Sequence, residues 1–100
     1  MTLSKAPAIH PGEILRDLYL EPLGMSPYAL AKTLRVPRTR IERIVAEKIG
    51  ISADTALRLA KFFRTTPELW LNLQSTYDLK KQSAELGPEL AQIPELGEAA

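Results

Sequence analysis

Proline and glycine divide this chain into short lengths: they stand at 11–12, 22–24, 27, 37, 50 and 67. A regular helix tolerates such residues mainly at its ends. Between them the apolar residues recur at spacings of three and four rather than at alternate positions. That pattern predicts an all-α fold of five helices with no strands. The first helix begins near Pro11, where the missing N–H of proline is no loss, and Glu13 in its first turn suits the helix dipole. Ile14, Leu15 and Leu18 form its inward stripe, and Pro22 and Gly24 end it. The second has Ser26 as N-cap and Pro27 at its first position, with Met25 placed to pack on Leu30 and with Leu30, Ala31 and Leu34 inward. The third follows after only Arg35 and Val36, running from about Pro37 to Glu47 with Ile41, Ile44 and Val45 inward.

Gly50 breaks the chain again. Ser52 caps a fourth helix, with Asp54 in its first turn and Leu57, Leu59, Ala60 and Phe63 as its apolar positions. Thr66 and Pro67 start a fifth, in TPELWLNLQSTYDL. From about Lys80, the breaks at Gly87-Pro88, Ile93-Pro94 and Gly97 predict a short helical continuation and then a flexible end. The expected organisation is an arm over 1–10, a helical domain over 11–79 and an acidic tail over 80–100.

Charge divides along the same lines. Residues 32–64 hold nine Lys and Arg against Glu42, Glu47 and Asp54, whereas residues 82–100 hold four acids and no base. A basic segment of this kind serves either a polyanion partner or a solvated face. The 100 residues contain no cysteine, which excludes disulfides, thiolate zinc sites and cysteine nucleophiles, and suits a cytoplasmic location. The lone histidine, His10, excludes a site built on two imidazoles, and its place before Pro11 suits capping or a surface role better than catalysis. With no glycine-rich phosphate loop, no metal-ligand spacing and no nucleophile–base pair, neither an enzyme nor a cofactor is expected. No apolar run reaches the length of a membrane span, and MTLSKAPAIHPG lacks the apolar stretch of a signal peptide.

Two helices with so short a connection, inside a basic segment, suggest a helix-turn-helix over Pro27–Ile44. Residue types support this. Ala31 is small where the helices approach, Val36 is the buried aliphatic after the turn, and Ile41 and Ile44 hold the second helix down. A plain helical hairpin shares these features. HPGEIL, LEPLGMS, ISADTALRLAKFF and TPELWLNLQ, in that order, resemble the HigA-type antitoxins of bacterial toxin–antitoxin modules, within the phage-repressor-like (XRE) helix-turn-helix superfamily. The resemblance covers about residues 9–79. It implies a lambda-repressor-like five-helix DNA-binding domain, a homodimer on double-stranded operator DNA, autorepression, and neutralisation of a HigB-type ribonuclease toxin. There are two departures. Pro27 replaces the usual glutamine, which removes a phosphate contact. Arg35 stands where glycine is common in the turn, so the turn is expected to be built differently.

The third helix would then be the recognition helix, entering the major groove by its N-terminal end. With Ile41 and Ile44 inward, Thr39, Arg43 and Ala46 face out, Glu42 lies beside them, and Arg38 and Arg40 flank the leading end. Arginine can fork onto guanine, glutamate can accept from cytosine, and threonine can touch a base or a thymine methyl. The candidate base contacts are Arg38, Thr39, Arg40, Glu42 and Arg43. The candidate phosphate contacts are the helix starts at Ser26 and Tyr28 and at Ser52 and Ala53, together with Lys48. The alternative for any one arginine, and most of all for Arg40, is a phosphate contact or a solvated charge; for Ser52 it is capping alone, though Ser52 can do both. The fifth helix is apolar on more than one face, so Trp70, Leu73 and Tyr77 are candidates for a dimer interface, with the domain core as the alternative for Trp70. The functions consistent with these features are an antitoxin that represses its own promoter, a repressor with no toxin partner, and a helical module binding an acidic protein. The acidic tail either serves solubility or touches a basic toxin.

Overall fold

The computed structural model describes residues 6–97. Among them every regular element is helical, in five helices. Helix α1 is a continuous run of three segments, Pro11–Ile14, Leu15–Leu20 and Glu21–Leu23. It is followed by α2 (Pro27–Leu34), α3 (Arg38–Val45), α4 (Ala53–Phe63) and α5 (Pro67–Ala91). Ser26, Ser52 and Thr66 cap α2, α4 and α5 through their side-chain oxygens, and Pro27 and Pro67 stand in the first turns of α2 and α5.

The middle of α1 departs from the sequence expectation. Leu15–Leu20 is π-helical, with the Glu21 N–H donating to the Arg16 carbonyl. Bonding from i to i+5 widens the turn, so residues five apart share the inner face: Leu15 and Leu20 are buried while Leu18 is 64% exposed. A wheel of 3.6 residues per turn put Leu18 inside for this reason. Pro22, which has no N–H to donate, is carried within the last turn instead of ending the helix, and Gly24 at φ 60° closes it.

The turn after α2 also differs from expectation. Arg35 adopts φ 62° and ψ 43°, the left-handed geometry that glycine would take, with the Val36 N–H donating to the Ala31 carbonyl at 3.0 Å. Glu47 and Arg64 do the same beyond α3 and α4. The usual turn is kept, at a cost of about 1 kcal/mol per residue.

The core joins Leu15 and Leu20 of α1, Leu30, Ala31 and Leu34 of α2, Ile41 and Ile44 of α3, Ile51, then Ala56, Leu59 and Ala60 of α4, and Trp70 of α5. On α4 the inward residues include Thr55 and Ala56, whereas Leu57, expected inside, is 60% exposed. Trp70 is fully buried, its indole N–H donating to Thr65 Oγ1 at 2.9 Å, with Tyr19 and Phe63 packed beside it. It therefore belongs to the core and cannot touch a second subunit. Beyond Lys80, α5 continues through Gly87 and Pro88 to Ala91, with every residue from Lys81 to Gly97 exposed. The predicted breaks do not stop it. On an exposed helix, water can serve the carbonyl that Pro88 leaves without a donor.

Two contacts fix the start of α1, one against α3 and one against α5. Gly12 lies so close to α3 that a methyl group in its place would collide with the Ile44 carbonyl. His10 is buried and caps α1, its Nδ1 accepting from the Gly12 N–H at 2.9 Å while its ring meets Tyr77 edge-on at 4.8 Å. Burial lowers the His10 pKa, against the opposing pull of Glu47, Asp78 and the Ile49 backbone and with a small further lowering by Lys81.

Two outcomes follow. Gly12→Ala should destabilise the domain by about 1–3 kcal/mol, since the colliding atom is backbone and cannot swing aside; denaturant titration measures it. For His10, the folded state holds the proton less well than the unfolded chain. The stability due to neutral His10 is therefore complete above the usual imidazole value, about 6.5, and is lost as pH falls below it towards the lowered folded value. Thermal melts from pH 7.5 down to 5 should show this loss, and His10→Asn, which can cap without titrating, should lack that step.

Candidate nucleic-acid interface

Helices α2 and α3 are joined by Arg35–Pro37, and their buried residues match the sequence expectation: Ala31, Ile41 and Ile44 are inside, and Val36 packs half-buried against them. With Ile41 and Ile44 buried, the opposite side of α3 is exposed, and Thr39, Glu42, Arg43 and Ala46 all lie there. The N-terminus of α3 begins after Pro37 with no side-chain cap, so its first N–H groups have no side-chain partner.

The five candidate base contacts are placed differently from one another. Arg43 and Thr39 are exposed, and neither forms an ion pair or a side-chain hydrogen bond among the described residues. Arg38 pairs with Glu42 at 3.4 Å, one turn on, and its guanidinium lies 5.9 Å from the centroid of the Tyr28 ring. That arrangement ties Glu42 and Tyr28 to the start of α3. Arg40 is turned aside, its Nη1 2.6 Å from Asp54 Oδ1 at the start of α4.

Asp54 also accepts from Arg58 Nε at 2.9 Å, and Arg58 Nη1 donates to the Leu34 carbonyl at 2.8 Å. One carboxylate thus links α3 and α4, and Arg58 extends the link to the end of α2. The hydrogen bonds from Arg58 and then Arg40 hold the Asp54 carboxyl below the usual carboxylate range. The sequence reading missed this clamp. Its only signal was the i, i+4 spacing of Asp54 and Arg58. A second unforeseen arginine, Arg16 of α1, donates to the Val45 carbonyl at 2.7 Å and caps the end of α3, with Glu47 3.3 Å away. No local pattern marks a contact across 29 residues.

Four of the five candidate phosphate contacts, Ser26, Tyr28, Ser52 and Ala53, sit at helix starts. Ser26 Oγ accepts from the Ala29 N–H at 3.0 Å, and Ser52 Oγ from the Thr55 N–H at 3.3 Å. The Ser52 hydroxyl also donates to Thr55 Oγ1 at 3.2 Å, so its polar capacity is largely used within the chain. Ala53 is exposed at the first position of α4, and Tyr28 is exposed. Lys48 is exposed on the α3–α4 loop, which α5 fixes through Gln74 Oε1, the acceptor of the Ile51 N–H at 2.7 Å. Of the interface candidates on α5, Leu73 and Tyr77 are half-buried. Leu73 lines a shallow groove with Ile9, Ile14 and Leu69, and Tyr77 rests on His10. Among the described residues no helix is long and apolar enough to cross a membrane.

Residues 15–70 match the helix-turn-helix family HTH_3. Virulence-associated protein I of Dichelobacter nodosus is 57% identical over 77 residues, 77% of this chain and 71% of that protein. Among solved structures, the Pseudomonas aeruginosa antitoxin HigA with the higBA promoter superposes with a TM-score of 0.86 at 46% identity, covering 89% of this chain and 98% of that one. The antitoxin GraA in complex with its operator gives 0.86 at 41% identity, covering 95% and 96%. The chain belongs to the HTH_3 helix-turn-helix family, and its fold is that of the HigA-type antitoxins.

Proposed function

We propose that this protein is the antitoxin of a bacterial toxin–antitoxin module: a homodimer that binds operator DNA, represses its own promoter and neutralises a HigB-type ribonuclease toxin. The observation that carries the DNA-binding part is the exposed row on α3, where Arg43 and Thr39 stand unpaired beside the Arg38–Glu42 pair. Its likeness in fold and sequence to HigA with the higBA promoter and to GraA with its operator supports the same reading.

The contacts divide by task. Arg43 and Thr39 read base edges. Arg38 approaches the same groove from the leading end of α3, its angle set by Glu42 and Tyr28. Arg40 acts through Asp54, holding α3 on α4, and is a positioning residue. Backbone N–H groups at Tyr28 and Ala53 and the Lys48 ammonium take phosphates, which fixes the register without reading sequence. Two copies present two recognition helices to half-sites about 34 Å apart, one helical turn. Leu73 and Tyr77 remain candidates for contact with the second copy.

The test is a titration of the protein against the DNA upstream of its own coding sequence. Arg43→Ala should weaken binding by about 1–3 kcal/mol and relax base preference at one position per half-site. Lys48→Ala should weaken binding to all DNA alike and make the salt dependence shallower by about one unit of slope. Unchanged affinity and preference in Arg43→Ala would place the reading face elsewhere. A small basic ribonuclease-like reading frame beside this one, whose growth arrest this protein relieves on co-expression, is the expected result for the toxin part. Without such a neighbour the protein would be a repressor alone.

A further inference from the structure

The distal half of α5 presents a problem of stability within a single copy. From Lys81 to Ala91 every residue is exposed, and the side-chain contacts there, Lys81 over Tyr77 and Ser83 to the Lys80 carbonyl, stay within α5, yet it carries Gly87 and Pro88 in its interior. Relative to alanine, such residues cost about 1 and 3 kcal/mol inside a helix. Helices of this kind are held by packing of an apolar face. That face exists: Leu79, Leu86 and Leu90, with Ile93 just past the end, fall at spacings of seven, four and three along one side. All four are exposed, and Glu85 and Glu89 flank them.

A surface of matching character lies between α2 and α4. Leu34, Leu57 and Phe62 line a groove of about 680 Å³, and Arg35, Lys61 and Arg64 lie around it. Leu57 and Phe62 are exposed, whereas Thr55, Ala56, Leu59 and Ala60 of the same helix are buried. Among the described residues neither Lys61 nor Arg64 has a carboxylate within ion-pair distance. The groove is therefore apolar within and cationic around, and the tail is apolar on one face and anionic beside it.

The tail cannot fill the groove of its own chain. Helix α5 starts at Pro67, three residues after Arg64, and runs without a break, so Leu86 lies about 28 Å along its axis from the start. We propose that the distal half of α5 docks in the α2–α4 groove of a second copy, Leu86 and Leu90 covering Leu57 and Phe62 and Glu85 and Glu89 meeting Lys61 and Arg64. The proposal rests on the homodimer reading given above and specifies its interface. Groove against groove would oppose cations, and tail against tail would oppose glutamates. Tail in groove pairs opposite charges and covers both apolar surfaces. The lengths agree, since Leu57 and Phe62 lie five residues apart and Leu86 and Leu90 four, about 6–8 Å of helix rise. Exchange in both directions about a two-fold axis closes the pair.

The absence of cysteine from the chain makes the contact directly testable. Lys61→Cys and Glu89→Cys are prepared separately, mixed in equal amounts and exposed to mild oxidant, and products are separated under denaturing conditions. The expected product is the mixed disulfide, identified by mass. Lys61→Cys linking chiefly to itself would show a groove-to-groove contact. Glu89→Cys linking chiefly to itself would show a tail-to-tail contact. Either result overturns the proposal, as does the absence of any cross-link while the unmodified protein is dimeric by light scattering. A monomeric unmodified protein would instead remove the homodimer reading and this interface with it. In parallel, Leu86→Asp with Leu90→Asp, which changes no core residue, should raise the dimer dissociation constant at least about tenfold. An unchanged constant with retained helicity would overturn the proposal.

Discussion

The close contact between the start of α1 and the end of α3 sets the rest of the domain. Gly12 has no side chain where the Ile44 carbonyl passes, Arg16 caps the last turn of α3 through Val45, and His10 caps α1 while resting on Tyr77 of α5. These contacts leave α3 one orientation about its axis. Ile41 and Ile44 must face the core, and Thr39 and Arg43 must face away from it. The arrangement of the exposed face of α3 is thus decided at its far end, by residues that lie outside that face.

Electrostatics refine that face. α3 carries three arginines, but they are not equivalent. Arg40 shares the Asp54 carboxylate with Arg58, and Arg38 is held by Glu42 and the face of Tyr28, so only Arg43 is free of an ion pair among the described residues. An exposed ion pair contributes little to stability on its own. The Asp54 cluster matters more for geometry, because Arg58 also holds the Leu34 carbonyl and so joins the end of α2, the start of α4 and α3. Substituting any member would first alter the packing of α3 against α2 and α4.

The legible part of the fold was the part governed by local rules. The caps at Ser26, Ser52 and Thr66 and the inward residues Ala31, Ile41 and Ile44 follow from nearest-neighbour chemistry and a 3.6-residue repeat. The misses have separate causes. Leu18 was misplaced because the π-segment changes the repeat, and nothing local in LRDLYL announces i→i+5 bonding. Arg35 was expected to alter the turn because glycine is the usual left-handed residue, yet Glu47 and Arg64 take the same conformation beside it. The turn's hydrogen bonds outweigh the steric cost at all three positions. In the candidate interface, the exposure of Thr39 and Arg43 was legible from the helix wheel. The diversion of Arg40 was not, because Asp54 approaches it from another helix.

Length resolves the remaining tension between an acidic tail and a partner that is itself a polyanion. Tyr77 packs on His10 at the start of α1, and Glu85 lies about 12 Å further along the axis. At physiological salt the Debye length is about 8 Å. A helix that stopped at Gly87-Pro88 would hold Glu85 in the same place but leave Glu89 on a loose end free to approach the basic segment. Running to Ala91, α5 carries Glu85 and Glu89 well clear of its own body while keeping them on a rigid element. A flexible tail of the same composition could fold back onto Arg35, Lys61 and Arg64 of its own chain, whereas a helix can deliver the same charges only to something outside it.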